Sequence, residues 1–560
     1  MIDNSLNDEI LATYVGLPGI KSFRPGQAEA TRKLISLIDE SGSECIAELE
    51  VPTSGGKTLI LSTVGNYEGY ARGCPVTYCT TQRTLVAQIH ESGLLDPGGD
   101  AVPSLLGRAN YDCAYVEGVN CSECAYSKRE KDCPERSHCP YLMARRAFFS
   151  SRFGVTTVAY ALANPRVKER PILLVDEADQ LERELLNLAT VPLPSSIIAN
   201  ERIDLDGFIR WKKDLEKDRA REMSRLEAVR DLLEDMSSQE NPSQREENNA
   251  RMLLKSATGN IRGLDRKLQQ ADIIGLYLKK NEPYLIESNI FKPIMAKVFF
   301  GSWSKGMKLV MASATPTSSL LCTDFSKVNM PHPIPVDRRK IIYAPVCGMG
   351  RNSRTDGSVK AMAERIIALH QAEATGRHTL VHCHSKALTS EFYQVMQHDP
   401  RVMMKESGPA GDMTLDEWRR SQDKILLSYG MTRGLDLKGP QFPLNIQCKV
   451  PYPDLGSKAI RIRNELDGWH WYNLQTAISI MQAAGRTTRD ASDYSRTYIL
   501  DSNFGSFLGN NRDIFSVWFL EALERANGQS MKEPSIPLFV RRARMYNREQ
   551  SSQDLGQTVA

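Results

Sequence analysis

No stretch of this chain is apolar for long enough to cross a bilayer, and its opening residues, MIDNSLNDEI, lack the basic and apolar segments of a secretory signal. Those absences lead us to expect an intracellular, cytoplasmic protein with no membrane partner. Charge of one sign is scarce as well, because 71 Lys and Arg stand against 68 Asp and Glu for a formal net charge of +3. So weak a field offers nucleic acid no global attraction, and any surface for it must be a local groove. Cysteine is too sparse for a disulfide scaffold, at 12 in 560 residues. Five of the twelve nevertheless fall within 27 residues, from Cys113 to Cys139, and in a reducing compartment that crowding points to metal.

What the chain does contain is ordinary for a globular protein: 41% apolar and 25% charged residues, in a length that suggests roughly three to four domains. Short apolar runs that read as buried parallel strands (Cys45 to Leu49, Pro75 to Cys79, Ile172 to Val175, Lys308 to Met311) alternate with helical stretches. A second series begins with HTLVHCH at His378 and continues through KILLSYG and NIQCKVPYP to RTYILD. Two α/β domains follow. Between them, residues near 200 to 285 are highly charged with a helical pattern, broken by SSQENPSQREENN, as in two helices joined by a loop.

The strand ending at Glu50 runs into VPTSGGKT, Val51 to Thr58. Ser54, Gly55 and Gly56 are small enough for backbone N–H groups to close around phosphate, Lys57 can neutralise the β and γ phosphates, and the Thr58 hydroxyl is placed to ligate magnesium. ILLVDEAD, Ile172 to Asp179, is a strand ending in adjacent carboxylates. There Asp176 can hold magnesium through water and Glu177 can polarise the attacking water.

Five further segments lie in order around these two: FRPGQ at Phe23 to Gln27, TTQRTLVAQ at Thr80 to Gln88, SAT at Ser313 to Thr315, TRGLDL at Thr432 to Leu437 and QAAGRTTR at Gln482 to Arg489. The set resembles superfamily 2 helicases and, within them, the XPD/DinG branch. LLGRANYDC and CPYLMARR are similar to the sequences that flank that branch's first and last cluster cysteines. Phage and CRISPR-associated DinG-like proteins lie within reach of the same resemblance.

The resemblance implies two RecA-like motor domains, at 1–320 and 321–545, followed by a polar tail at 546–560. The first would be interrupted by an iron-sulfur insertion at 105–150 and a helical arch at 190–290. It further implies that Gln27 recognises adenine, that Asp436 joins the nucleotide site, and that Arg486 and Arg489 approach the γ phosphate when the cleft closes. A guanidinium is always charged and forked, so such an arginine ties hydrolysis to domain movement. Gln482, one helical turn before Arg486, could position water or phosphate. Ser54 in place of a common glycine, Asp179 in place of the histidine of a DEAH-type box, and Arg433 in place of a glutamate depart from the pattern without removing a catalytic group. The chain starts shortly before Phe23, so the N-terminal nuclease domain of some DinG-like proteins is not expected.

Cys113, Cys121, Cys124 and Cys139 are separated by seven, two and fourteen residues. Thiolates bind iron-sulfur clusters and zinc alike, and Cys133 with His138 or Cys139 leaves a zinc site open. The resemblance favours a structural [4Fe-4S] cluster on the first four. Lys128, Arg129, Lys131, Arg136, Arg145, Arg146 and Arg152 crowd the same segment and suggest a surface for phosphates. The expected activity is an ATP- and magnesium-dependent helicase, a monomeric motor moving 5′ to 3′ on single-stranded and forked DNA. The alternative is an accessory remodeller that serves a larger nucleic-acid complex and unwinds little itself.

Overall fold

The computed structural model describes residues 6–20, 22–42, 45–124, 126, 130–182, 184, 198–199, 202–237, 243–278, 284–286, 289–291, 306–315, 325–405, 409–429, 437, 439–485 and 493–528. Asp436, Arg486, Arg489 and the 546–560 tail lie outside the described residues, as do Lys128 and Arg129.

Seven strands form the first sheet: β1 (Cys45–Glu50), β2 (Val76–Thr80), β3 (Ser104–Leu105), β4 (Phe153–Thr157), β5 (Ile172–Asp176), β6 (Lys308–Ser313) and β7 (Ser326–Asn329). They lie in the order β7-β1-β6-β5-β2-β4-β3, and every neighbouring pair is parallel. A parallel sheet is covered on both faces, which is why ILLVD in β5 and VTYCT in β2 are buried at every position. Helix α1 (Gln27–Glu40) precedes β1, and α2 (Lys57–Asn66) follows it directly. The edge strand β7 lies past residue 320, so the first sheet continues beyond the boundary expected from sequence. Only four residues long and largely exposed, SKVN carries no apolar run to announce it.

Two insertions leave this sheet. The cysteine-rich segment returns through α3 (Pro140–Ser150), whose end is fixed by the buried Arg170. That guanidinium donates to the Phe148 and Ser151 carbonyls at 3.1 and 2.8 Å and to Val76 O of β2 at 2.6 Å. The charged region forms two long helices, α4 (Leu205–Ser237) and α5 (Gln244–Leu278). Ion pairs Lys212–Asp272 and Arg219–Asp265 run in opposite sequence directions, so the helices are antiparallel. Leu226, Val229, Leu254, Ala257 and Ile261 fill the seam, and Tyr126 of the cysteine segment packs on it.

The second sheet comprises β8 (Ile341–Cys347), β9 (His378–His382), β10 (Val402–Met404), β11 (Lys424–Ser428), β12 (Leu444–Gln447), β13 (Arg496–Asp501) and β14 (Leu523–Arg525). Its order is β10-β11-β9-β12-β13-β8-β14, again parallel throughout. Helix α6 (Lys458–Ala484) breaks at Gly468, whose φ of 67° is left-handed, and then runs towards the first sheet. One apolar core joins the two halves, with Val175 and Met311 from the first packed in a cluster with Ile480, Met481, Trp518 and Phe519 from the second. No helix among the described residues is long and apolar enough to cross a membrane.

Candidate functional site

Open parallel α/β sheets bind ligands beyond the carboxyl ends of their strands, where each following loop gathers. In the first sheet β1, β6 and β5 are neighbours, so the turns after Glu50, Ser313 and Asp176 meet at one edge. The loop after β1 turns sharply: Gly55 N–H donates to Pro52 O at 2.8 Å, and Gly56 takes a φ of 81° before α2 begins. A Cβ on Gly56 would sit 2.4 Å from Gln27 Nε2, so both conformation and space require glycine. Ser54 adopts the left-handed φ of 68° that glycine would take with less strain, and Arg24 Nη1 holds its carbonyl at 3.3 Å. The α2 N-terminus, with no side chain capping its amides, presents them to an anion.

Lys57 Nζ lies 3.0 Å from Glu177 Oε1. Burial works against the Lys57 charge, but the carboxylates of Glu177, Asp176 and Asp179 outweigh it and hold the ammonium above its usual range. Burial lifts the Asp176 carboxyl above its ordinary range, against the pull of Lys57. Its two oxygens are nonetheless oriented, Oδ1 by the Glu177 N–H at 2.8 Å and Oδ2 by the Tyr78 hydroxyl at 2.9 Å. Glu177 itself has a left-handed φ of 51°, a strain of the kind found at functional sites. The Thr58 hydroxyl and the Asp176 carboxylate are hard oxygen donors on facing elements, and that donor set fits the magnesium implied by the resemblance.

Gln27 is buried, with Nε2 donating to Gly55 O at 2.8 Å and Oε1 accepting from Arg24 N–H at 2.8 Å. One end of this amide therefore braces the loop after β1, and the other holds the backbone at Arg24. Gln482 reaches across from α6 and donates from Nε2 to Asp179 Oδ2 at 2.6 Å, while Ser313 Oγ donates to Asp179 Oδ1 at 3.2 Å. Asp179, which stands where the pattern expects histidine, thus ties the SAT segment to the second domain. Gly485 approaches the loop so closely that a Cβ would lie 2.5 Å from Thr53 Oγ1. Trp471 Nε1 to Glu182 Oε2 at 3.2 Å and Trp518 Nε1 to Ala314 O at 3.1 Å add two more bonds between the halves.

Sequence reasoning missed Tyr78, Asp179 as a bridge, and the Thr53 and Gly485 approach. For Tyr78 the available signal was a phenol inside a wholly buried strand, since a buried Tyr hydroxyl needs a partner.

Cys139 stands at the start of α3. Cys121 Sγ and Cys139 Sγ are 3.7 Å apart. A hydrogen bond from Cys124 pulls the Cys113 thiol down to about 6, and Cys133 also bonds Cys124. Burial and the neighbouring Cys139 push Cys121 up to about 12. His138 turns outward to Glu135 at 3.0 Å. Among the described residues no group of three or more His, Cys, Asp or Glu side chains stands in a metal-holding arrangement. Two of the basic residues are already engaged: Arg145, with Arg108, pairs with Glu130, and Arg152 donates to Gly73 O at 3.0 Å. A cavity of about 480 Å³ opens where this segment meets the helical pair, lined among others by Arg108, Tyr141, Arg230 and Arg262.

Residues 368–521 match the family described as helicase C-terminal domain. Among solved structures, one titled XPD helicase superposes on 90% of this chain and 100% of its own, with 14% identity and a TM-score of 0.57. Xpd4 of S. tokodaii superposes on 89% of this chain and 99% of its own, with 15% identity and a TM-score of 0.53. No curated protein matches the chain in sequence. Residues 368–521 are thus similar to helicase C-terminal domains, and the chain shares with the XPD helicases a fold of two parallel α/β sheets.

Proposed function

We propose that this protein is an ATP-driven motor that translocates on single-stranded DNA and opens forked duplexes, moving 5′ to 3′. The observation that carries the reading is the cleft itself: Lys57 and Glu177 at 3.0 Å beside Asp176 in one lobe, with Gln482 of the other lobe bonded to Asp179. Lys57 and Glu177 neutralise each other across 3.0 Å. The β and γ phosphates of ATP would draw Lys57 away, leaving Glu177 to orient water and accept its proton. Magnesium held by Thr58 and Asp176 would supply charge neutralisation at the phosphates. Gln27 would turn from the loop to adenine, while Asp436, Arg486 and Arg489 complete the site from the second domain. The chain neighbour of Arg486 is Gly485, which already touches the loop at Thr53, and this supports the arginine assignment.

The cavity beside the helical pair, with its three arginines, supports a path for the displaced strand. The paired approaches of Cys113 to Cys124 and of Cys121 to Cys139 support a structural [4Fe-4S] cluster on those four thiolates, with zinc as the competing metal.

ATP hydrolysis should rise at least tenfold with single-stranded DNA. Lys57→Ala and Glu177→Gln should each lower it by roughly a hundredfold or more, the scale expected for loss of a phosphate clamp or a water-orienting group. Unwinding of substrates with a 5′ overhang and not of those with a 3′ overhang checks the direction. Equal stimulation by RNA would overturn the DNA assignment, and no stimulation by either polymer would overturn the motor.

A further inference from the structure

Tyr78 is fully buried in the middle of β2, where its register partner on β5 is Leu174. Its ring stacks on Phe153 of β4, with centroids 6.4 Å apart and planes 16° from parallel, so the hydroxyl is held at a fixed place near the carboxyl edge of the sheet. There the phenol makes two bonds. It donates to Asp176 Oδ2 at 2.9 Å, and it is hydrogen-bonded by the Thr58 hydroxyl at the start of α2. Thr58 and Asp176 come from different elements on either side of the phosphate loop, and the phenol oxygen is the atom that connects them.

We propose that Tyr78 is the positioning residue for the divalent cation of the nucleotide site, spacing the Thr58 hydroxyl and orienting the Asp176 carboxylate before the metal arrives. The inference rests on the ATP-driven reading above. The Asp176 side chain has two other constraints, its attachment to β5 and the Glu177 N–H on Oδ1. Neither fixes Oδ2, which among the described residues the phenol holds. Without the phenol the carboxylate gains a rotational freedom that metal binding must then remove, and Thr58 loses the acceptor that sets its rotamer. A hydrogen bond to a charged group contributes about tenfold to such an equilibrium.

Tyr78→Phe keeps the ring and its stack on Phe153 and removes only the hydroxyl. Nucleotide binding, followed with a fluorescent ADP while magnesium is titrated, should show a magnesium midpoint raised about tenfold, with binding in EDTA unchanged. Manganese bound to the ADP complex, counted by electron paramagnetic resonance, should show the same rightward shift. At saturating magnesium the hydrolysis rate should return to within about threefold of the parent. Phe153→Leu, which loosens the stack and spares the hydroxyl, serves as the packing control. A magnesium midpoint equal to that of the parent overturns the proposal, as does an equal shift in Phe153→Leu or a defect that is the same with and without metal. If the parent protein itself neither binds nor hydrolyses ATP, it is the motor reading that fails.

Discussion

Glu68 is 2% exposed, and its Oε1 is buried with no hydrogen-bond partner. Burial first, and then the nearby Asp39 charge, push its carboxyl up from an ordinary 4.5 to about 7, with Arg72 and Lys308 pulling the other way. The folded state therefore prefers the protonated form, while the unfolded chain releases that proton near 4.5. Stability from this residue is present at acid pH and is lost as pH rises from about 4.5 to about 7. Glu68→Gln should leave urea stability at pH 4.5 unchanged and raise it at pH 8, by up to about 3 kcal/mol. An equal gain at both pH values would contradict the burial argument. Residues of this kind are illegible in sequence, because EGYA reads as an ordinary helix end. Lys57, Thr58, Asp176 and Glu177 could be named as candidates for the opposite reason: each lies in a segment where a strand runs into a loop in a recognisable residue order. Gln27 could be named as a candidate for adenine, but the bond of its amide to the loop could not be foreseen, since that depends on where Gly55 O turns.

At the scale of elements, legibility followed burial. The strands buried on both faces, β1, β2, β5, β6, β9, β11, β12 and β13, stand out as apolar runs. The edge strand β7 does not, because it is held by charge. Lys327 reaches Glu50 at 2.8 Å and Glu48 at 3.8 Å, and both carboxylates are buried on β1. Such a pairing is invisible until the two strands are adjacent. The charged helices α4 and α5 were legible as helices from their period, while their antiparallel seam needed the structure to locate it.

The cysteine insertion is the element with the plainest chemical test. Anaerobically purified protein should be brown and carry about four irons per chain. Cys113→Ser, Cys121→Ser and Cys139→Ser should each lose the iron, whereas Cys133→Ser should keep it, because Cys133 lies outside the two pairs Cys113–Cys124 and Cys121–Cys139. A colourless protein with one zinc, or iron lost from Cys133→Ser and kept in Cys113→Ser, would replace the proposed ligand set with the one built on Cys133.

Among the described residues, a polar path between the lobes runs from Gln482 to Asp179 to Ser313. A buried amide donating to a carboxylate at 2.6 Å is among the stronger neutral-to-charged bonds. A double-mutant cycle with Asp179→Asn and Gln482→Ala, read as DNA-stimulated kcat/KM, should give a coupling of about 1.5 kcal/mol, or roughly tenfold. Losses that simply multiply would show that the contact transmits nothing. Neither residue's partner was legible in sequence, since they stand 303 positions apart.

Gly485 leaves no room for a single methyl group against Thr53 of the other lobe. At this point the seam is set by backbone against the Thr53 side chain, with nothing between them that could yield. In the motor proposed above, a nucleotide tail entering beneath Thr53 would be gauged by how far it spread the two lobes, and a triphosphate would differ from a diphosphate by one such increment. The missing side chain of one glycine would in this way turn the length of a phosphate chain into a distance between two domains.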